Sequence, residues 1–582
     1  GLIETPNIDA LADQGLRFTN FHTTALCSPS RAALLAGRNH HSVGLGSHSL
    51  TAMGFPGYNA VVPKNAKSFA KTLEKYGYTN YAIGKWDHTP LHEVTVLGPF
   101  DRWPSGEGFQ HFYGFMAADT HNFQPQMYAD HRPIEPWRLP NGKANPNYHL
   151  STDMADQAIN FITQHKSIAA EKPFMMLWTP GAAHAPHHAP KSYIGHYQGM
   201  FDLGWDRART KIVQRQRAMG VIPANTQLTE RPSYIPAWDS LPEQERQLYA
   251  RQMEVFAAMV THTDDQIGRM VAMLKRIGQF ENTLVIVTSD NGASDEGGST
   301  GMSNEAYIFN GRQPTVAENL AHFDEWGGPK SYPHYHSGWA MAGNTPFRYA
   351  KKAVHRGGMQ DPLIISWPNG IQAQGELRDQ YHHIIDIAPT LLQAGGMETL
   401  ATVDGVKQKP LDGLAMNYAF DNEAQSSPRQ VQYYELYGNR GIYADGWKAV
   451  TLHAGKLGLG MKTNFDDDVW ELYHVAEDFS EANNLADQHP EKLAELKALW
   501  EQEAWRYNVF PLYDDVLKRG AKRTARLFGG KTQFTYFYPG ARRIAETVAA
   551  PIKAVSHQIK TSIDLSGDES GVIVSEGGVE GG

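Results

Sequence analysis

The chain is expected to fold as an α/β protein, with a large mixed β-sheet sandwiched by helices and a smaller C-terminal antiparallel α+β domain. Short apolar runs alternate with longer amphipathic segments, the pattern of crossover connections around a mainly parallel sheet. Chemically distinctive residues follow several of those runs, and ligand sites in such sheets lie beyond the carboxyl ends of the strands. At 582 residues the chain also exceeds what one hydrophobic core normally holds, so two or more domains are expected.

Taken in order, Ser28 as N-cap, Pro29 at the first helical position and Gly37 beyond the end frame a short helix. Helical periodicity follows over 67–76, 153–165 and 244–277, and apolar runs at 81–83, 174–178, 284–288 and 363–367 read as buried strands. Residues 196–250 interrupt the alternation with an Arg/Gln-rich insertion. It reads either as a loop and helix near a pocket rim or as a surface excursion. A polar linker near 421–430 ends the first domain, 1–425. In 426–530, runs at 431–436, 441–443 and 447–452 read as antiparallel strands and 490–505 as a covering helix. From 531 to 582 the composition shifts again, and Gly571-Val572-Ile573-Val574 reads as part of an extra β segment cut short.

Bulk properties exclude some functions. Apolar residues at 41% and charged residues at 20% describe an ordinary globular protein. A net charge of −9 without a basic run gives no footprint for nucleic acid. No run approaches the ~18 apolar residues of a membrane span. A single cysteine excludes an intramolecular disulfide and leaves the redox compartment unencoded.

That cysteine, Cys27, opens Cys27-Ser28-Pro29-Ser30-Arg31, which continues to Gly37-Arg38. The stretch resembles the type I sulfatase signature, Cys-x-Pro-Ser-Arg followed by Gly-Arg. Thr5-Pro6-Asn7-Ile8-Asp9 and Leu16-Arg17-Phe18-Thr19-Asn20 resemble the segment those enzymes carry upstream. Gly84-Lys85-Trp86, His184-Ala185-Pro186, Ser289-Asp290-Asn291-Gly292 and Gly357-Gly358 follow in the family's order. The similarity, to bacterial arylsulfatases, covers most of residues 1–530. It implies the alkaline-phosphatase-like fold, oxidation of Cys27 to formylglycine (3-oxoalanine) by a sulfatase-maturing enzyme, and a small-molecule or carbohydrate sulfate ester as substrate. It also places a first strand ending in an Asp-Asp pair of metal ligands ahead of Gly1, so the chain is expected to be a fragment. The compartment stays open between bacterial cytoplasm and periplasm.

The residues carry this chemistry on their own terms as well. The helix start beside Cys27 presents free N–H groups and a positive dipole end, which suits a sulfate group. Arg31, one turn in, is read as neutralising charge at the nucleophile, and Arg38 as anchoring the helix end. Asp-Asn-Gly alone is a turn signal. After a buried strand, Asp290 and Asn291 offer oxygens to a hard cation, and the resemblance implies calcium, with magnesium as the alternative, completed by an oxygen of the modified Cys27. By the same resemblance Lys85, His184 and Lys351 bind the sulfate, with His184 as general acid; the spacing to Gly357-Gly358 favours Lys351 over Lys352. The family carries a histidine two residues after the lysine. This chain has Asp87 there and then His88, so either one takes the base role. His187 and His188 read as surface loop residues, and His355 as facing the pocket. Trp205, Trp326, Trp339 and His334-Tyr335-His336 are noted as a wall for the leaving group, with core packing as the commoner alternative.

Three rival functions remain: a phosphonate monoester or phosphodiester hydrolase of the same superfamily, an inactive sulfatase-like binding protein, and a Cys-His thiol hydrolase.

Overall fold

The computed structural model describes residues 2–453 and 464–514, with short stretches between 530 and 575. Two five-stranded mixed sheets form its centre. In the first, β1 (Leu16–His22), following α1 (Pro6–Asp13), is the middle strand. The second contains β2 (Thr79–Lys85), β3 (His111–Phe115), β4 (Met127–Ala129), β5 (Arg132–Ile134) and β6 (Phe174–Thr179) in the order β5-β4-β3-β2-β6. There β2 runs parallel to β3 and to β6. All seven residues of β2 are buried because helices cover it, and the strand extends beyond the apolar run read at 81–83 to include Thr79, Asn80 and Lys85. Those helices include α2 (Cys27–Ala36), α3 (Phe69–Lys75) and α4 (Leu150–Ile168).

The 196–250 insertion is not a surface excursion. It supplies the end of α5 (Lys191–His196), then α6 (Gly204–Ala218), and leads into α7 (Glu243–Arg276). Trp205 is fully buried and meets Trp238 and Trp339 edge to face. Trp326, His334, Tyr335 and His336 are buried in the same region, so the aromatic group is core and not a substrate wall.

After α7 come β7 (Val285–Thr288), α8 (Val316–Leu320), α9 (Ser337–Gly343), α10 (Arg356–Met359), β8 (Gln360–Ser366), β9 (Glu376–Arg378), β10 (His382–His383) and α11 (Ile387–Ala394). The first sheet is ordered β10-β1-β8-β7, with β9 also on β1. Thus β6 ends one sheet and β7 the other. Side chains of both, Phe174, Met176, Val285 and Val287, pack with Ile162 of α4 and Met273 of α7 in one apolar cluster.

Beyond a short hairpin, β11 (Thr402–Val403) and β12 (Val406–Lys407), lies the antiparallel sheet β13 (Val431–Leu436), β14 (Asn439–Ala444), β15 (Trp447–Thr451), β16 (Trp470–His474). The fourth strand is an addition to the sequence reading. Helix α12 (Pro490–Arg506) covers this sheet through Leu496, Trp500 and Ala504. The sheet's other side joins the first domain where Tyr434, Leu436 and Tyr473 pack with Leu26, Cys27 and Met359. Among the described residues of 531–582 no strand forms, and Val572, Ile573 and Val574 are exposed; Gly571 lies outside the described residues.

Candidate active site

Helix α2 begins at Cys27, earlier than a Ser28 cap would place it, with extended Leu26 as N-cap. The turn before it is closed by Ser30, whose Oγ accepts from Thr24 N (3.1 Å) and meets Thr24 Oγ1 (2.8 Å). Cys27 therefore lies in the first turn, where helix N–H groups lack intrahelical acceptors. Gly37, at φ 60°, ends the helix, and Arg38 ties down that end through Ala36 O (2.6 Å) and Pro410 O (3.1 Å).

Arg31 links three segments. Its Nε and Nη2 both reach Asp290 Oδ2 at 2.8 Å, and its Nη1 donates to Lys85 O at 3.0 Å. Burial would raise the Asp290 carboxyl, but Arg31 and then Lys85 hold it below its ordinary range. Asp290 and Asn291 follow β7 directly. Their loop lies so close to the Gly357-Gly358 turn that a Cβ on Gly292 would sit 2.1 Å from Gly357 O, and Gly292 N donates to Gly358 O (3.0 Å). Asn291 Nδ2 donates to Gly292 O, which leaves its buried Oδ1 unpartnered. An acid beside a free amide oxygen is a donor set that fits a hard divalent cation.

At the end of β2, Lys85 is buried and its Nζ lies 3.3 Å from Asp87 Oδ2. Burial would lower this lysine, but Asp87 and Cys27 raise it. Asp87 has φ 63°, a left-handed conformation, as do Ala25 and Lys352 nearby; strained backbone gathers where geometry is functional. His88 departs from the site: its Nδ1 bonds Trp86 O at 2.7 Å and its ring packs 4.3 Å from the Trp86 ring. Burial pushes it down to about 4. Of the two residues at the altered position, Asp87 faces the other site groups.

The sequence reading missed His48. Its Nε2 lies 3.4 Å from Asp87 Oδ1, and ligand atoms of Cys27, His48 and Asp87 all fall within 4.8 Å of one another. His48 Nδ1 lies 3.1 Å from Leu50 N, and against the pull of burial Asp87 holds the imidazole well above its ordinary range. The signal was Asp87 itself: an acid standing where a histidine is expected calls for an imidazole from another loop.

Across the site, His184 Nδ1 donates to Ala185 O (2.6 Å) and its Nε2 faces Lys351 Nζ at 3.2 Å. Burial, then Lys351 and Lys85, push His184 down to about 3. In this arrangement the proton of the pair rests on Lys351. Against the pull of burial, Glu296 keeps Lys351 raised. Glu296, also missed, bridges Lys351 (2.7 Å) and Lys352 (2.6 Å). Among the described contacts, Lys351 but not Lys352 also reaches His184. His187 and His188 are buried, not surface loop residues, and His188 Nε2 bonds Ser331 O. His355 does not join these groups: it is buried against Tyr349 and its Nε2 lies 3.2 Å from Glu471.

Comparison with known proteins places the chain in a family. The sulfatase family profile matches residues 1–397, and the profile of the C-terminal part of N-sulphoglucosamine sulphohydrolase matches residues 347–506. An uncharacterized sulfatase of Schizosaccharomyces pombe is 31% identical over 539 residues, covering 86% of this chain and 88% of that protein. An arylsulfatase of Klebsiella aerogenes is 27% identical, covering 72% and 87%. Among solved structures, Ps i-CgsB in complex with k-i-k-neocarrahexaose superposes with a TM-score of 0.57 at 18% identity, covering 89% of this chain and 92% of that one. The sulfatase PsFucS1 from Pseudoalteromonas gives 0.56 at 20%, covering 88% and 86%; at these identities both speak for the fold. No described helix is long and apolar enough to cross a membrane. Profile, relatives and fold together make the chain a member of the sulfatase family, arylsulfatase-like, within the alkaline phosphatase superfamily.

Proposed function

We propose that this protein hydrolyses sulfate monoesters, with position 27 as the nucleophile after conversion of Cys27 to formylglycine. One observation carries the reading: Cys27, in the first turn of α2, has its sulfur within 4.8 Å of ligand atoms of His48 and Asp87, and it acts electrostatically on the buried Lys85 and Lys351. The geminal diol of formylglycine hydrate provides one oxygen to attack sulfur, giving a sulfo-enzyme intermediate, and a second to release sulfate as the aldehyde reforms. A maturing enzyme is the partner this requires.

The chain's own residues do the rest. Arg31 and Lys85 neutralise the sulfuryl oxygens together with the helix start. Lys351, held charged by Glu296 and adjoining neutral His184, supplies the proton to the leaving oxygen. Asp87 accepts the proton of the hydrate hydroxyl, the role its position favours over His88. Asp290, Asn291 and the oxygen at position 27 would hold calcium, or magnesium, which supplies Lewis-acid charge stabilisation. The substrate is a small-molecule or carbohydrate sulfate. In support, relatives carry the names N-acetylglucosamine-6-O-sulfatase and N-acetylgalactosamine-6-sulfatase.

Peptide mass analysis around residue 27, paired with rates on 4-nitrophenyl sulfate and on phosphate mono- and diesters, tests the reading. Formylglycine mass, hydrazide labelling and preference for the sulfate ester are expected. A plain thiol in an enzyme that turns over at full rate would overturn it in favour of a thiol hydrolase. Preference for the phosphodiester would favour the superfamily's other hydrolases, and no turnover with a matured residue 27 would favour a binding protein.

A further inference from the structure

Glu296 is a carboxylate where an anionic ester is to be bound, and this calls for a reason. It lies in the loop after Asp290-Asn291, with its Oε2 on Lys351 at 2.7 Å and its Oε1 on Lys352 at 2.6 Å. Ser294 Oγ donates to Oε2 at 2.9 Å and fixes the carboxylate's place. Both lysines are buried, and their backbones are pinned: Lys351 N donates to Ala293 O and Lys352 N to Ala25 O, two residues before Cys27. The ammonium groups cannot swing into solvent, and the carboxylate leaves this trio with a single positive charge in place of two.

Charge separates the ester classes these superfamily sites meet. A sulfate monoester carries one negative charge near neutral pH, a phosphate monoester close to two. Inorganic sulfate, the product, carries two. A carboxylate beside the bound ester repels every ligand charge, so it penalises a dianion by one more charge interaction than a monoanion. For unit charges several ångströms apart in a protein interior this difference is worth about ten- to a hundredfold in affinity.

We propose that Glu296 is a specificity-determining residue that restricts the ester face of Lys351 and Lys352 to monoanionic esters and eases departure of the dianionic product. The proposal rests on the reading above that Lys351 faces the ester group. Lys352, which no sequence motif selects, thereby acquires a role as the second half of the clamp.

The test compares wild type with E296Q, E296D and K352Q. Two ratios are measured for each: kcat/KM on 4-nitrophenyl phosphate over 4-nitrophenyl sulfate, and calorimetric affinity for inorganic sulfate over methanesulfonate, a monoanion. Glu296→Gln is expected to raise both ratios about ten- to a hundredfold, Glu296→Asp to leave them within about threefold, and Lys352→Gln to lower them. A mere structural loss would scale numerator and denominator together, so unchanged ratios in E296Q overturn the proposal, as does an equal rise in E296D. The binding ratio needs no turnover. If wild type binds both anions yet cleaves no sulfate ester, the proposed function falls while the affinity ratio in E296Q still decides the role of Glu296.

Discussion

At residue scale, the departure from the family pattern after Lys85 has a physical resolution. Asp87 and His48 converge on position 27 while His88 packs against Trp86. Removing a positioned proton acceptor costs typically 10²–10⁴-fold. Asp87→Asn is therefore expected to lower turnover of 4-nitrophenyl sulfate by about that factor, with a sulfuryl group retained on the protein and visible as an increment in intact mass. His88→Leu, which keeps the apolar contact with Trp86, is expected to change turnover less than about fivefold on the same scale. The reverse ranking would return the base role to His88. His48→Gln keeps an N–H donor near Asp87, so it should fall between Asp87→Asn and wild type in the same assay.

At the scale of elements, the second domain is joined to the nucleophile's surroundings by buried polar contacts as well as by apolar ones. Glu435 of β13 receives His41 Nε2 (2.8 Å) and Tyr58 Oη (3.0 Å) from the segment after α2, and Gly438 N at 2.7 Å. His41, Tyr58 and Glu435 are all buried. Glu435→Ala would strand these donors, so a loss of about 3–5 kcal/mol in unfolding free energy is expected from urea titration. Glu435→Gln, which keeps an acceptor, should lose less. This junction was not legible in the sequence, because a glutamate within an alternating strand reads as a solvent-facing position. The strands 81–83, 174–178, 284–288 and 363–367 were legible as short apolar runs bounded by polar residues, although only β2 is buried throughout and β6 and β7 are half-buried. β16 was not: Trp470-Glu471-Leu472-Tyr473-His474 mixes polar and aromatic residues in a strand whose Glu471 pairs with Arg348 and His355 of the first domain. Among site residues, those embedded in motifs were readable. His48 and Glu296 were not, since each acts through a partner supplied by a distant segment.

At the scale of the whole molecule, the histidines set the response to acid. Among the described residues, three helical segments open on a histidine that burial holds below its ordinary range and whose Nδ1 accepts a backbone N–H: His149 ahead of α4, His336 ahead of α9 and His383 ahead of the turn entering α11. A cap of this kind needs the lone pair of a neutral ring, and protonation removes it. Away from the site, burial pushes His188, His336 and His383 down to about 3, and His262 and His382 to about 4. The unfolded chain takes up these protons near 6.5, and the native state does not until well below that. The stabilisation is therefore fully present above pH 6.5 and lost as pH falls from 6.5 toward 4 and 3. Each such proton is worth about 1.4 kcal/mol per pH unit, so five give a limiting slope of about 7 kcal/mol per pH unit. Set against a typical total of about 5–15 kcal/mol, this predicts cooperative unfolding within about one to two units below 6.5. Urea midpoints at pH 7.5, 6.5 and 5.5 should be level across the first interval and fall steeply across the second. His149→Asn retains a capping oxygen while removing one acid-sensitive ring, so it should lessen the steep limb by about one proton whatever it does to stability at pH 7.5. A midpoint that stays flat down to pH 5.5 would mean that the native state accepts these protons, and that the caps are not held by neutral imidazole.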